Sequence, residues 1–206
     1  QAGFQVESYR YYDAARRGVD FEGMLADLKA AAPGTVVVLH ACCHNPTGYD
    51  ITPAQWDEVI ATVKAGQLVP FLDMAYQGFG QGIAEDGAAV GKAVAAGLSF
   101  FVSTSFSKSF SLYGERVGAL SVLCQDKAEA DRVLSQLKIM VRTNYSNPPT
   151  HGGSVVAAVL NTPELRALWE QELAGMRSRI KQMRSALVDK LKSAGVQRDM
   201  GFITTQ

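Results

Sequence analysis

The sequence describes an α/β protein, a three-layer sandwich around a mostly parallel sheet with one antiparallel strand. Three observations carry this. Thr35 to Ala41, T-V-V-V-L-H-A, is a continuous β-branched run, as expected of a strand buried on both faces of a parallel sheet. Stretches with helical period alternate with such apolar runs along the chain. The run Val117 to Cys124 follows its predecessor with no helix between them, so it is expected to pair antiparallel beside it.

The elements follow in order. Phe4 to Tyr12 alternates apolar and polar residues and reads as a short strand. Phe21 to Ala31 carries Phe21, Met24, Leu25 and Leu28 at helical spacing and stops at Pro33-Gly34. After the Thr35 strand comes a turn-rich loop, and Thr52 then caps a helix with Pro53 in its first turn. Leu68 to Leu72 is the next strand, and a helix is expected from about Glu85 to Ala96. Leu98 to Thr104 forms a third strand and Val117 to Cys124 a fourth. Helices are expected over Asp126 to Val141, Gly153 to Leu160 and Pro163 to about Ala194. In the last of these, Leu165, Leu168, Trp169, Leu173, Met176, Ile180, Met183 and Leu187 recur on one face, the mark of packing. Gly201 to Gln206 reads as the start of a further strand.

Composition narrows the function. The 206 residues balance 20 basic against 20 acidic side chains, so no basic footprint points to nucleic acid. No apolar run is long enough to span a bilayer. Three cysteines, two of them adjacent, make no disulfide framework, which fits a reducing cytoplasm. There is no G-x-G-x-x-G, no G-x-x-x-x-G-K-[ST] and no G-x-S-x-G motif. His40, Cys42, Cys43 and His44 lack the usual zinc spacing, so no metal is expected there.

The chemistry concentrates in Ser103 to Gly118, S-T-S-F-S-K-S-F-S-L-Y-G-E-R-V-G. Five hydroxyl side chains (Ser103, Thr104, Ser105, Ser107 and Ser109) surround Lys108, and Arg116 follows. Hydroxyls beside a guanidinium suit a phosphate, whose oxygens accept charge-assisted bonds. An amine crowded by Arg116 and by Phe106, Phe110 and Leu112 suits a nucleophile. Phosphate plus nucleophilic lysine points to pyridoxal phosphate held as a Schiff base. The plainer alternative is a serine-rich turn with a surface lysine.

Three strand ends decide between them, because ligands of open α/β sheets sit beyond the carboxyl ends of the strands. Asn45 follows the first strand, Asp73 and Tyr76 the second, and Lys108 the third. Each alone has a structural explanation, as turn residue, cap or packing. Together they supply an amine, a carboxylate for a pyridine nitrogen, and an amide and phenol for the ring's 3-oxygen.

Asn45-Pro-Thr-Gly48, Asp73-Met-Ala-Tyr76, Ser105-Phe-Ser-Lys108, Leu112-Tyr-Gly-Glu-Arg116-Val-Gly118 and Arg142-Thr-Asn-Tyr-Ser-Asn-Pro-Pro149 closely resemble class I aminotransferases. The likeness is greatest to the bacterial aspartate and aromatic (tyrosine) branch and runs the whole length. It implies that Lys108 carries the cofactor and shuttles the proton, that Asp73 pairs with the pyridinium nitrogen, and that Asn45 and Tyr76 contact the 3-oxygen. It further implies that Ser105, Ser107 and Arg116 bind the phosphate, with Asn45 also near the substrate. Arg142 would reach the neighbouring subunit of a homodimer and grip a substrate carboxylate, although a cation near a helix end also simply complements the dipole. The Asn45–Pro46 peptide is expected to be cis. The substrates implied are an amino acid and a 2-oxo acid such as 2-oxoglutarate.

The resemblance also implies an internal piece of a longer protein, lacking the amino-terminal arm, a phosphate loop, the ring-stacking aromatic and a carboxy-terminal arginine. Residues 1–160 would then be a partial cofactor-binding domain, and 161–206 a linking helix and the start of a smaller domain. Such a piece is expected to turn over substrate weakly or not at all, and its open strand edges to favour association. A lyase or decarboxylase on the same cofactor, or a cofactor-binding piece without turnover, are the alternatives.

Overall fold

A computed structural model of the chain describes residues 3–205. It opens with an extended segment and a short antiparallel pair, β1 (Tyr12–Asp13) and β2 (Gly18–Val19). Helix α1 (Phe21–Ala30) is capped by Asp20, whose carboxylate accepts the Gly23 N–H. Strand β3 (Val36–His40) leads through the turn-rich loop to α2 (Pro53–Ala65). There Thr52 and Gln55 form a reciprocal capping box with Pro53 in the first turn. Strand β4 (Val69–Met74) is followed by two short helices, α3 (Ile83–Asp86) and α4 (Ala88–Ala95), that meet at Gly87. Strands β5 (Phe100–Ser105) and β6 (Gly118–Leu123) precede α5 (Lys127–Asn144), α6 (Thr150–Asn161) and α7 (Pro163–Ser193).

The sheet order is β3-β4-β5-β6. β3, β4 and β5 run parallel, and β6 pairs antiparallel with β5. The mixed, mostly parallel sheet expected from the sequence is therefore present. Its core face carries Val37, Leu39, Leu72, Phe100 and Val102, packed on Met24, Leu25 and Leu28 of α1, Trp56, Val59 and Val63 of α2, and Ala89 and Ala93 of α4.

Four expectations need correction. Phe4 to Tyr12 is not a strand: among the described residues only Tyr12 and Asp13 pair, and the rest is held by side-chain bonds such as Tyr9 Oη donating to the Val38 carbonyl at 2.9 Å. β3 is not buried on both faces. It is the sheet edge here, and Val36 and Val38 remain 43% and 50% exposed while Val37 and Leu39 are buried. The helix expected over Glu85 to Ala96 is interrupted at Gly87. Gly201 to Thr204 forms a 3-10 turn rather than a strand, and Gln206 lies outside the described residues.

α6 and α7 pack on the loop after β5 rather than on the sheet. Trp169 of α7 stacks on Phe110 with centroids 4.6 Å apart and donates its indole N–H to the Ser109 carbonyl at 2.7 Å. Gly152 lets α6 approach the Glu115–Val117 turn, where a Cβ would sit 3.0 Å from Glu115 Cβ.

Leu72, 2% exposed in a central strand, tests this core. Leu72→Ala is expected to destabilise the fold by about 2–5 kcal/mol, and Thr52→Ala by about 1 kcal/mol. Both are measured as shifts in the urea unfolding midpoint.

Candidate active site

The parallel register sets the site. His40 of β3 lies opposite Asp73 of β4, and Asp73 opposite Ser103 of β5. The Ala41 N–H donates to the Asp73 carbonyl at 2.9 Å, extending the ladder one residue past β3. The Ser103 hydroxyl donates to Asp73 Oδ1 at 3.3 Å. Asp73 is thus half-buried at the carboxyl edge with one oxygen engaged from the neighbouring strand.

Tyr76 and Lys108 meet over this edge. The Lys108 ammonium nitrogen stands 4.8 Å from the centroid of the Tyr76 ring, within the range of a cation–π contact. Lys108 sits in the loop after β5, where the Ser107 N–H donates to Ser105 Oγ at 3.3 Å and Ser107 is 7% exposed. Both residues are half-buried.

The loop after β3 carries Asn45, which is exposed. Its backbone N–H donates to His40 Nδ1 at 3.1 Å, and the Asn45–Pro46 peptide is cis. Asp50 shapes this loop by accepting the N–H groups of Cys43 and His44, each at 2.7 Å. The His44 ring stacks on Tyr11 at 3.8 Å and lies 4.7 Å from the His40 ring. Burial, with the nearby His40 imidazole, lowers the His44 pKa to about 4, against a smaller opposing effect of Asp50.

The two arginines are placed differently. Arg116 adopts the left-handed conformation (φ +50°), is exposed, and donates to the Tyr113 carbonyl at 3.0 Å. The Phe106 N–H donates to the Val117 carbonyl at 3.2 Å, which ties the Arg116 turn to the Ser105–Lys108 loop. Arg142 lies inside α5, not beyond it, is exposed, and donates to Ser146 Oγ. The structure therefore brings Lys108 to Tyr76 and Ser103 to Asp73 at the ends of β4 and β5, while Asn45, Arg116 and Arg142 are exposed.

Sequence reasoning missed the residues that hold the frame. Ser103, one of the hydroxyls near Lys108 in sequence, instead engages Asp73. Asp50 and Asp86 were not singled out, yet both carboxylates collect backbone N–H groups. A carboxylate within a few residues of a glycine-rich turn is the local signal that marks them. Cys42, Cys43 and Asp86 bring ligand atoms within 4.8 Å of one another. Both Asp86 oxygens accept N–H bonds, and the Cys43 hydrogen bond and burial push the Cys42 thiol up.

Fold and site together define an α/β chain with a carboxylate at the carboxyl edge of a parallel sheet and, in the loops beyond it, an amine set over a phenol ring. The sequence pattern of the family "Aminotransferase class I and II" matches residues 1–205. The chain belongs to that family. It is 62% identical over 205 residues to an aspartate aminotransferase of Pseudomonas aeruginosa, covering 100% of this chain and 52% of that protein. It is 53% identical over 205 residues to an aromatic-amino-acid aminotransferase of Escherichia coli, with the same two coverages, 100% and 52%. Among solved structures, an aromatic-amino-acid aminotransferase from Burkholderia pseudomallei, covalently bound to pyridoxal phosphate, superposes with a TM-score of 0.97 at 65% identity. That match covers 100% of this chain and 51% of the solved one. The chain thus spans about half the length of the relatives it matches.

The depressed His44 pKa fixes a pH dependence. Unfolded, this imidazole takes up its proton near the ordinary 6.5, and folded only near 4. The unfolded state therefore binds more protons between those values, and stability falls as pH drops from 6.5 to 4. His44→Gln is expected to flatten the urea midpoint against pH across that interval.

Proposed function

We propose that the chain supplies the main cofactor-holding part of a pyridoxal-phosphate-dependent aminotransferase. Such an enzyme would exchange amino groups between aromatic or dicarboxylic amino acids and 2-oxoglutarate. The observation that carries this is the Lys108 amine poised over the Tyr76 ring at the edge where Asp73 is engaged by Ser103. The donor set fits the cofactor: an amine for its aldehyde, a carboxylate for its ring nitrogen, an amide and a phenol for its 3-oxygen, and hydroxyls with a guanidinium for its phosphate. Relatives named for aspartate, tyrosine and aromatic amino acids support the substrate class.

When bound, pyridoxal phosphate supplies a carbonyl that condenses with amines and a ring that withdraws electrons from the substrate α-carbon. The protein's residues do the rest. Lys108 Nζ holds the cofactor and then moves a proton as general base and acid. The Asp73 carboxylate keeps a proton on the ring nitrogen, with Ser103 orienting one oxygen. Tyr76 Oη and the Asn45 amide orient the ring oxygen. Ser105, Ser107 and the Arg116 guanidinium bind the phosphate.

Arg142, exposed on α5, is assigned to a substrate carboxylate in the neighbouring subunit of a homodimer. Residues 1–160 are assigned to the larger domain and 161–206 to the link into a smaller one. Three free cysteines, Cys42, Cys43 and Cys124, favour a reducing cytoplasm. Among the described residues no helix is long and apolar enough to cross a membrane.

Reduction with borohydride after adding pyridoxal phosphate to the full-length protein is expected to tag Lys108. Peptide mapping that finds the tag elsewhere, or nowhere, rejects the assignment. Lys108→Ala is expected to lower kcat by at least about 10²–10⁴-fold. Asp73→Asn is expected to lower it by about 10–100-fold, the loss of one charged hydrogen bond. Steady-state rates with tyrosine, phenylalanine and aspartate as donors settle the substrate preference.

A further inference from the structure

The loop leaving Tyr76 is held from two sides by groups outside the site described above. From below, the Asp86 carboxylate at the end of α3 is buried at 6% exposure and takes three backbone N–H groups. Oδ2 accepts from Gly78 at 2.8 Å and Gly80 at 2.9 Å, and Oδ1 accepts from Gln81 at 2.9 Å. From above, α7 closes on the same turn. Arg177 Nη1 donates to the Gly78 carbonyl at 2.7 Å. The fully buried Leu173 packs so close that a Cβ on Gly78 would lie 2.4 Å from its Cδ2, and Gly78 is at φ +95°. The Phe79 N–H donates back to the Tyr76 carbonyl at 3.1 Å, so the turn closes on Tyr76 itself.

A buried carboxylate filled by N–H bonds is a stiff anchor, because leaving any of those donors unpaired in a low-dielectric interior is costly. We propose that Asp86 is a positioning residue for Tyr76: by fixing the 78–81 turn against α7, it holds the phenol where it meets the cofactor's ring oxygen. This rests on the cofactor assignment proposed above. Asp86 touches neither substrate nor cofactor and acts only through the turn. Asn in its place would present an NH2 group to one of the three N–H donors. The turn would then loosen at its root, and loosely placed groups cost catalysis and binding steeply.

The test uses the full-length protein loaded with pyridoxal phosphate and follows the cofactor's visible absorbance against pH, alongside its dissociation constant. Tyr76→Phe is the reference, and its titration midpoint is expected to move. Asp86→Asn is expected to move the midpoint in the same direction and to weaken cofactor binding by about tenfold. In the double variant the midpoint is expected to match Tyr76→Phe alone, since one residue acts through the other. If Asp86→Asn lowers the melting temperature but leaves midpoint and dissociation constant unchanged, or if the two shifts add in full, the positioning role is overturned. If Tyr76→Phe itself moves nothing, the fault lies with the assignment of Tyr76 to the cofactor. Should Asp86→Asn fail to fold, Arg177→Met releases the same turn through the Gly78 carbonyl and leaves the buried carboxylate in place. It is expected to shift the midpoint in the Tyr76→Phe direction, and an unmoved midpoint overturns the proposal.

Discussion

The site depends on one constraint, the parallel register that sets His40, Asp73 and Ser103 side by side across three strands. A slip of one residue would turn each side chain to the opposite face. The register is held by burial. Val37 and Leu39 on β3, Leu72 on β4, and Phe100 and Val102 on β5 share the face packed on α1, α2 and α4. The alternate residues, among them Asp73 and Ser103, consequently face the other way, where one engages the other.

The loops beyond the strands hold Asn45, Tyr76 and Lys108, and loops left alone are mobile. This chain stiffens them with carboxylates that serve backbone rather than substrate. Asp50 collects two N–H groups of the Asn45 loop, and Asp86 three of the loop after Tyr76. Turn N–H groups that no strand or helix satisfies need such acceptors. Asp73 is the contrasting case. Among the described residues its side chain takes one bond, from a serine, which leaves acceptor capacity open at the sheet edge. Similar residue types thus fall into different roles according to what surrounds their oxygens. The third loop is stiffened by packing instead, with Trp169 and Phe110 stacked beneath Ser109 and Gly152 letting α6 close on the Arg116 turn.

Local signals suffice where the physics is local. Thr52 as the cap, with Pro53 after it, dictates where α2 begins, because a helix start must satisfy its free N–H groups within a few residues. Val117 to Cys124, arriving with no helix before it, could pair antiparallel beside β5, and it does. The position of Asp73 in β4, and of Tyr76 and Lys108 in the loops after β4 and β5, followed from strand ends alone. Phe4 to Tyr12 failed for the opposite reason. An alternating pattern makes a strand only if a partner lies alongside, and here only Tyr12 and Asp13 have one.

Residue order by itself determined the alternation of strands and helices, the caps, and which strand termini carry an amine, a carboxylate, an amide and a phenol. These are consequences of neighbours within a few positions and of a sheet geometry shared by all such folds. Tertiary structure alone decided that Ser103 engages Asp73, that Asp86 clamps the Tyr76 turn, that α7 closes over it through Leu173 and Arg177, and that Val36 and Val38 stay exposed. Each of these joins residues far apart along the chain. Such contacts are selected by burial and hydrogen-bond satisfaction in three dimensions, and a linear pattern does not encode them.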